Sequence, residues 1–144
     1  MKLAIMQPYL FPYIGYFQLI KAVDKFVIYD DVNFIKGGWI NRNNVLINKK
    51  KSLFTVPLDK SSSFSLINET KINLKFYNIW KIKFLRSLEQ SYKKTPFFHE
   101  VYALVEKVLD LQNNHLITKL GVKSIRVVSE YLQIQTDFIE TSNV

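Results

Sequence analysis

Cysteine is absent from the 144 residues, and histidine occurs only at His99 and His115. A disulfide framework, a thiolate zinc site, an iron–sulfur cluster and a cysteine nucleophile are therefore excluded. One histidine follows a helix break and the other follows two asparagines, where capping or solvent exposure is the common role. We therefore predict that neither histidine is catalytic.

Long apolar runs are also missing. The longest uncharged stretch, residues 3–20, contains two prolines, a glycine and three tyrosines, which neither a membrane span nor a signal peptide would carry. We expect a cytoplasmic protein without membrane insertion. The composition, 48% hydrophobic and 15% aromatic, supports a folded core, and the length predicts a single domain over residues 1–144.

Acidic residues are scarce in the middle of the chain. Residues 49–94 hold eleven lysines and arginines against three acidic residues, whereas the remainder carries nine of each kind. This segment could attract a phosphorylated ligand, nucleic acid or an anionic membrane surface. Seventeen of the twenty basic residues are lysines, so a solvated surface is the competing explanation.

Two short apolar runs, residues 2–6 and 25–29, are typical of buried strands. Between them, residues 13–23 place apolar side chains near helical spacing, and Pro12 suits the entry to a first turn. This alternation predicts a β-α-β unit in which the two strands run parallel.

The remaining pattern is mostly helical and predicts a loop over 32–50, strands over 53–58, 70–74 and 136–140, and helices over 77–92, 97–111 and 116–132. The aromatic stripe of the first of these helices is interpreted as core packing. The expected fold is α/β, a three-layer Rossmann-like arrangement. It has a mainly parallel sheet, flanking helices and a mostly helical carboxyl-terminal half.

Ligands of open α/β sheets bind beyond the carboxyl ends of the strands, which directs attention to the turn after the first strand. A helix amino terminus there offers free N–H groups to an anion, and a glycine permits close approach. The candidate residues in this turn are Gln7, Tyr9, Tyr13, Gly15 and Tyr16. The alternative is a proline-stiffened turn with packed tyrosines.

The segment after the second strand is richer in polar residues. Its candidates are Asp30, Asp31, Lys36, Trp39, Asn41, Arg42 and Asn43. Adjacent aspartates point to opposite faces, so one is expected to bind ligand while the other pairs locally. An arginine between two asparagines suits a carboxylate, a phosphate or a sugar. The alternative is an ion pair of Arg42 with Asp30 or Asp31 that only holds the loop.

The sequence resembles the WbqC-like protein family. The resemblance rests on residues 6–17 (MQPYLFPYIGYF), 23–32 (VDKFVIYDDV) and 39–43 (WINRN), and it continues through 54–58 (FTVPL) and 89–94 (EQSYKK). It implies a bacterial or archaeal protein associated with the assembly of O-antigen and other surface polysaccharides such as lipopolysaccharide. Members commonly carry a basic residue where Gly37 stands and continue beyond the length of this chain.

Two functions follow as expectations. The first is a transferase acting on a nucleotide-activated sugar or amino sugar, with Asp30, Asp31 and Tyr16 as catalytic residues. Its substrate-binding residues are Gln7, Tyr9, Tyr13, Gly15, Lys36, Trp39, Asn41, Arg42 and Asn43. The second is a non-catalytic binding or scaffold subunit of the same pathway.

No cofactor is expected, although a divalent cation on the two aspartates stays open. Nucleic acid is the least favoured partner because arginines are few and no binding module is recognisable.

Overall fold

The computed structural model describes residues 1–60, 62 and 64–143. Within them, five strands and four α-helices form, in chain order β1 (Leu3–Met6), α1 (Ile14–Lys21), β2 (Lys25–Ile28), β3 (Arg42–Ile47), β4 (Lys50–Thr55), α2 (Leu74–Tyr92), α3 (Phe98–Leu109), α4 (Ile117–Tyr131) and β5 (Asp137–Glu140). Short 3-10 turns lie at Ile67–Glu69 and Thr141–Asn143.

The predicted β-α-β unit is confirmed. β1 and β2 run parallel, with Ala4 opposite Phe26 and Met6 opposite Ile28. Ala4, Phe26 and Ile28 are buried and pack in one cluster with Ile20 of α1. Each fully buried large apolar side chain contributes about 1.5–3 kcal/mol to the free energy of folding. The period-two pattern of the strands therefore fixes which face of the sheet receives the helix.

β5 extends the sheet on the far side of β2, again parallel, so the last predicted strand joins the sheet as expected. The rings of Phe26 and Phe138 lie 5.9 Å apart, and Val122 and Ile125 of α4 pack in the same cluster. Both crossovers move across the sheet in the same direction. Because such connections are right-handed, α1 and α4 lie on the same face.

The predicted three-layer Rossmann-like arrangement is not clearly formed. In the described part of the chain the parallel sheet has only three strands, in the order β1-β2-β5. On its other face, Leu3 and Ile5 are about half exposed. The fold is mixed α/β: a small parallel sheet with helices on one face, a separate antiparallel hairpin and a carboxyl-terminal half that is mostly helical, as predicted.

The segment predicted as a loop over residues 32–50 contains β3, which pairs antiparallel with β4. The expected third strand therefore belongs to a hairpin and not to the parallel sheet. Asn48 and Lys49 make its turn with φ of 50° and 64°. Two positive φ values are typical of the tight hairpin turn whose twist matches that of the strands. Asparagine is a common residue in this turn, but lysine is not, so the sequence does not predict the turn.

The weak strand predicted over residues 70–74 is wrong. Lys71 and Ile72 make only isolated bridges, and α2 begins at Leu74, three residues earlier than predicted. The Asn73 side chain accepts a hydrogen bond from the Phe76 amide at 3.3 Å and so caps the helix.

Two clusters of buried side chains hold the elements together. One lies on the parallel sheet, and the other joins α2, α3, the hairpin and the start of α4 through residues such as Phe84, Leu88 and Ile117. Tyr9 packs against both clusters. The turn after β1 therefore lies between the sheet and the helical half.

Candidate functional site

The first loop, residues 7–13, and the second loop, residues 29–41, leave the same edge of the sheet because β1 and β2 are parallel. The Leu10 amide donates to the Trp39 carbonyl at 3.3 Å. The Asn43 carboxamide, at the start of β3, donates to the Leu10 carbonyl at 3.2 Å. The two loops therefore converge, as expected for segments that follow neighbouring parallel strands.

Asp30 is fully buried at the end of β2. Its carboxylate accepts hydrogen bonds from the Thr118 hydroxyl at 2.9 Å, the Thr141 hydroxyl at 3.1 Å, and the hydroxyl and amide of Ser142 at 2.8 and 3.0 Å. These contacts tie β2 to α4 and to the turn after β5. A buried carboxylate with four donors is suited to holding the fold.

Asp31 is exposed, and its Oδ1 lies 2.5 Å from the Thr141 hydroxyl. The adjacent aspartates thus have different environments, one inside the protein and one facing solvent. Asp31 is the member of the pair that can reach a ligand. Within the described residues, no group of three histidine, aspartate or glutamate side chains converges as a metal site would require.

Tyr16 is buried, and its hydroxyl donates to the Gln7 carbonyl at 2.8 Å. Burial raises the pKa of this phenol far above its ordinary value, and the neighbouring Tyr9 adds to the effect. The hydroxyl therefore stays protonated and supports the first loop from inside the core. This position gives no support to the predicted catalytic role.

The Arg42 guanidinium turns back onto its own loop. Nε donates to the Gly38 carbonyl at 3.1 Å, and a second nitrogen donates to the Gly37 carbonyl. Neither Asp30 nor Asp31 forms an ion pair with it in the described part of the chain. Gly37 has a φ of 81°, a conformation that other residues rarely adopt.

Asn41 is buried at the base of the hairpin, where its carboxamide donates to the Val56 carbonyl at 3.0 Å. The remaining predicted binding residues are more accessible, with Tyr13, Lys36 and Trp39 exposed and Gln7, Tyr9, Gly15 and Asn43 partly buried. Their part in ligand binding stays a prediction.

A concavity with mostly apolar walls lies on the helical side of the molecule. This aromatic cavity has a volume of about 360 Å³ and is lined by Phe11, Asn44, Val45, Phe54, Phe84, Leu88, Tyr92, Thr95, Pro96, Phe97, Phe98, Val101, Tyr102 and Val105. The walls come from the first loop, the hairpin, α2, α3 and the α2–α3 connection. Neither Gln7 nor Arg42, two of the predicted binding residues, lines it.

Two phenylalanines of the cavity wall have left-handed backbones, Phe11 with a φ of 46° and Phe97 with a φ of 60°. This conformation costs about 1–3 kcal/mol for a bulky residue and persists only where neighbours enforce it. The Asn43 carboxamide donates to the Phe11 carbonyl at 2.7 Å, and the Phe11 amide donates to the Ser124 hydroxyl at 3.2 Å. Polar contacts therefore hold Phe11 at the cavity.

The cavity also contains a few polar groups. The Tyr92 hydroxyl accepts from the Leu46 amide at 3.2 Å, and the Asn44 side chain is partly buried. Burial raises the pKa of Tyr102, and the carboxylates of Glu106 and Glu89 raise it further. Its hydroxyl is therefore neutral near pH 7 and can both donate and accept a hydrogen bond.

Sequence reasoning missed this cavity. The helical spacing of Phe84, Leu88 and Tyr92 predicts core packing, and Phe84 and Leu88 do lie in the core. One feature of the sequence does point to the cavity. It is the break at Thr95 and Pro96, which separates two amphipathic helices and is followed by two phenylalanines. Residues on both sides of this break line the cavity.

The architecture defines a mixed α/β domain in which a small parallel sheet and a hairpin frame a helical half with an apolar cavity. A family model agrees with the resemblance seen in the sequence: it is that of the WbqC-like protein family, and it matches residues 7–144. The chain therefore belongs to the WbqC-like protein family.

A curated relative is an uncharacterized protein of Mycobacterium tuberculosis. It is 31% identical over 136 residues, which cover 94% of this chain and 58% of the relative. The chain thus spans less than two thirds of that protein. No solved structure matches the chain.

Proposed function

We propose that this domain binds a small molecule with an apolar body in the aromatic cavity and serves as a binding domain in surface-polysaccharide assembly. The observation that carries the proposal is the cavity itself, which is open, walled largely by aromatic and aliphatic side chains and built from five parts of the chain. The pathway is the one implied by the family resemblance.

Size and chemistry support a small ligand. Ligand pockets usually measure about 300–1,000 Å³ and combine apolar walls with a few placed polar groups. The cavity, at about 360 Å³, fits this description, with Asn44 and Tyr102 as groups that could orient the ligand. A ring system or a short acyl chain is of the right size and chemistry.

The polar residues of the loops support a binding role over turnover. The side chains of Asp30, Asn41 and Arg42 each form hydrogen bonds with other groups of the protein. Asn43 and Ser124 hold Phe11 against the cavity. On this account the polar residues of the second loop and of the start of β3 position the cavity wall and do not carry out a reaction.

The test uses N-phenyl-1-naphthylamine, a neutral apolar dye whose fluorescence rises in apolar sites. Val105→Phe adds bulk inside the cavity, and Ala103→Phe adds the same ring on the exposed side of α3. We expect saturable dye binding that Val105→Phe weakens at least tenfold and Ala103→Phe changes less than twofold. The proposal fails if the dye does not bind, or if both variants act alike.

A second candidate is the transferase, which the convergence of the two loops favours. Asp31 would accept a proton from an attacking amine or hydroxyl, and Lys36 would hold the diphosphate of the donor. Tyr13 of the first loop and Trp39 of the second loop are both exposed and would contact the sugar or the base.

Calorimetric titration with UDP-N-acetylglucosamine and related nucleotide sugars tests this candidate. A transferase site predicts binding that Lys36→Ala weakens about tenfold, whereas Lys21→Ala on α1 is the matched control. If no nucleotide sugar binds and Arg42→Ala changes only the thermal stability, the transferase candidate is excluded.

A further inference from the structure

The outer face of α2 carries apolar side chains that the protein does not cover. Phe76, Ile79 and Ile82 are 53%, 57% and 59% exposed. They follow one another at intervals of three residues, which places them along one side of a helix. Single exposed apolar residues are ordinary on protein surfaces, whereas these three large ones are aligned and form an apolar strip.

Basic residues flank this series. Lys75, Lys83 and Arg86 are exposed, and at helical periodicity they lie on the same side as the three apolar residues. We call these six residues the outer face of α2. The Lys75 ammonium lies 5.6 Å from the centre of the Phe76 ring. The helix thus presents an apolar strip bordered by positive charge.

α2 itself carries little negative charge. α2 contains four basic residues and one acidic residue, Glu89, which pairs with Lys93 at 3.4 Å. At the end of the helix, a depression of about 590 Å³ is lined by Arg86, Glu89, Gln90, Ser91, Lys93 and Lys94. Three of its six lining residues are basic, so this depression suits an anionic group such as a phosphate.

The hairpin turn adds further charge beside it. The Asn48 amide donates to the Ser91 hydroxyl at 3.3 Å, so the turn that carries Lys49 and Lys50 lies against the end of α2. The excess of basic residues seen in segment 49–94 is therefore gathered in part around one helix and its neighbouring turn.

We propose that the outer face of α2 binds the surface of an anionic lipid bilayer. Helices that lie in a membrane interface bury apolar side chains at the acyl boundary while lysine and arginine contact the phosphates. Nucleic acid would use the positive charge but would leave Ile79 and Ile82 without a role. None of the helices in the described part of the chain has the length and apolar character of a membrane span.

The test measures co-sedimentation of the chain with vesicles of phosphatidylcholine alone and of phosphatidylcholine with 30% phosphatidylglycerol. We expect binding to the anionic vesicles only, and we expect it to fall as salt is raised. Lys83→Gln should weaken this binding about fivefold, because each basic residue near an anionic surface contributes about 1 kcal/mol. Ile79→Ser combined with Ile82→Ser should weaken it at least tenfold.

Matched controls lie on α1, away from this face. Lys21→Gln removes an exposed lysine and Ile14→Ser an exposed isoleucine, and neither should change vesicle binding by more than twofold. Equal binding to neutral vesicles would overturn the proposal. It would also be overturned if the lysine variant acted and the isoleucine variant did not, since the surface would then bind anions such as nucleic acid by charge alone.

Discussion

Asp30 is a residue of a type that often takes part in catalysis, but its surroundings in the structure give it a role in holding the fold together. The sequence predicts a catalytic carboxylate, but the side chain is buried and accepts four hydrogen bonds from Thr118, Thr141 and Ser142. Its partners lie about 90 to 110 residues further along the chain. No local pattern identifies such partners, so the burial of this carboxylate could not be predicted.

Replacing Asp30 should therefore affect stability first. We expect Asp30→Asn to lower the free energy of unfolding by about 2–3 kcal/mol, because an amide group faces donors that were bonded to a carboxylate. Asp31→Asn, at the exposed neighbour, should cost less than about 1 kcal/mol. Urea titrations of the two variants make the comparison, and equal losses would show that burial does not distinguish the two aspartates.

Two buried phenols predict how stability changes in alkali. Tyr16 and Tyr77 donate to the carbonyls of Gln7 and Leu109, each at 2.8 Å. Desolvation by burial raises the pKa of both phenols in the folded state. Their contribution is fully present below pH about 10, the unfolded value, and is lost as the pH rises above it, because the unfolded chain releases its protons first.

The free energy of unfolding should accordingly fall above pH about 10, by up to about 1.4 kcal/mol per pH unit for each phenol. Urea titrations at several pH values measure this slope. Tyr16→Phe should lower stability near pH 7 and reduce the alkaline slope, whereas Tyr13→Phe, at an exposed phenol, is the control. An unchanged slope in Tyr16→Phe would contradict the assignment.

At the scale of elements, prediction succeeded where apolar periodicity was strong. The β-α-β unit, α3, α4 and β5 all follow from it, with boundaries that differ from the prediction by three residues or fewer. β3 was missed because it begins with an arginine and two asparagines. The Arg42 and Asn43 side chains donate to backbone carbonyls of the two loops, so the strand is specified by tertiary contacts instead of by β propensity.

The approach of α4 to the first loop gives a prediction at this scale. A Cβ at Gly121 would lie 2.6 Å from the Pro8 carbonyl oxygen and 3.2 Å from the Pro8 Cβ. Backbone atoms cannot move aside without strain. Gly121→Ala should therefore lower the free energy of unfolding by about 1–3 kcal/mol despite the better helix propensity of alanine. Thermal melts provide the measurement.

Gly15→Ala is the matched control in α1. The nearest atoms to a Cβ at Gly15 belong to the exposed ring of Tyr13, which can rotate away. We expect this variant to be neutral or slightly stabilising. A stabilising Gly121→Ala would mean that α4 does not approach the loop as closely as described.

At the scale of the whole molecule, hydrogen bonds connect the two loops to the wall of the cavity. The loops leave the parallel sheet and converge, and Asn43 and Ser124 then fix the backbone of Phe11 at the cavity wall. The positions of the two loops could be predicted from the sequence, because each loop follows an apolar strand. The sequence could not locate the cavity, because the cavity walls come from elements distant in sequence that only the tertiary structure brings together.

The central claim, that the aromatic cavity is the ligand site, is tested most directly by methyl-labelled NMR spectra titrated with N-phenyl-1-naphthylamine. The account predicts saturable shifts of the Leu88, Val101 and Val105 methyl groups, which line the cavity. The methyl groups of Val122 and Val128, on the sheet side, should not move. Shifts confined to Val122 and Val128, or no saturable shifts at all, would contradict it.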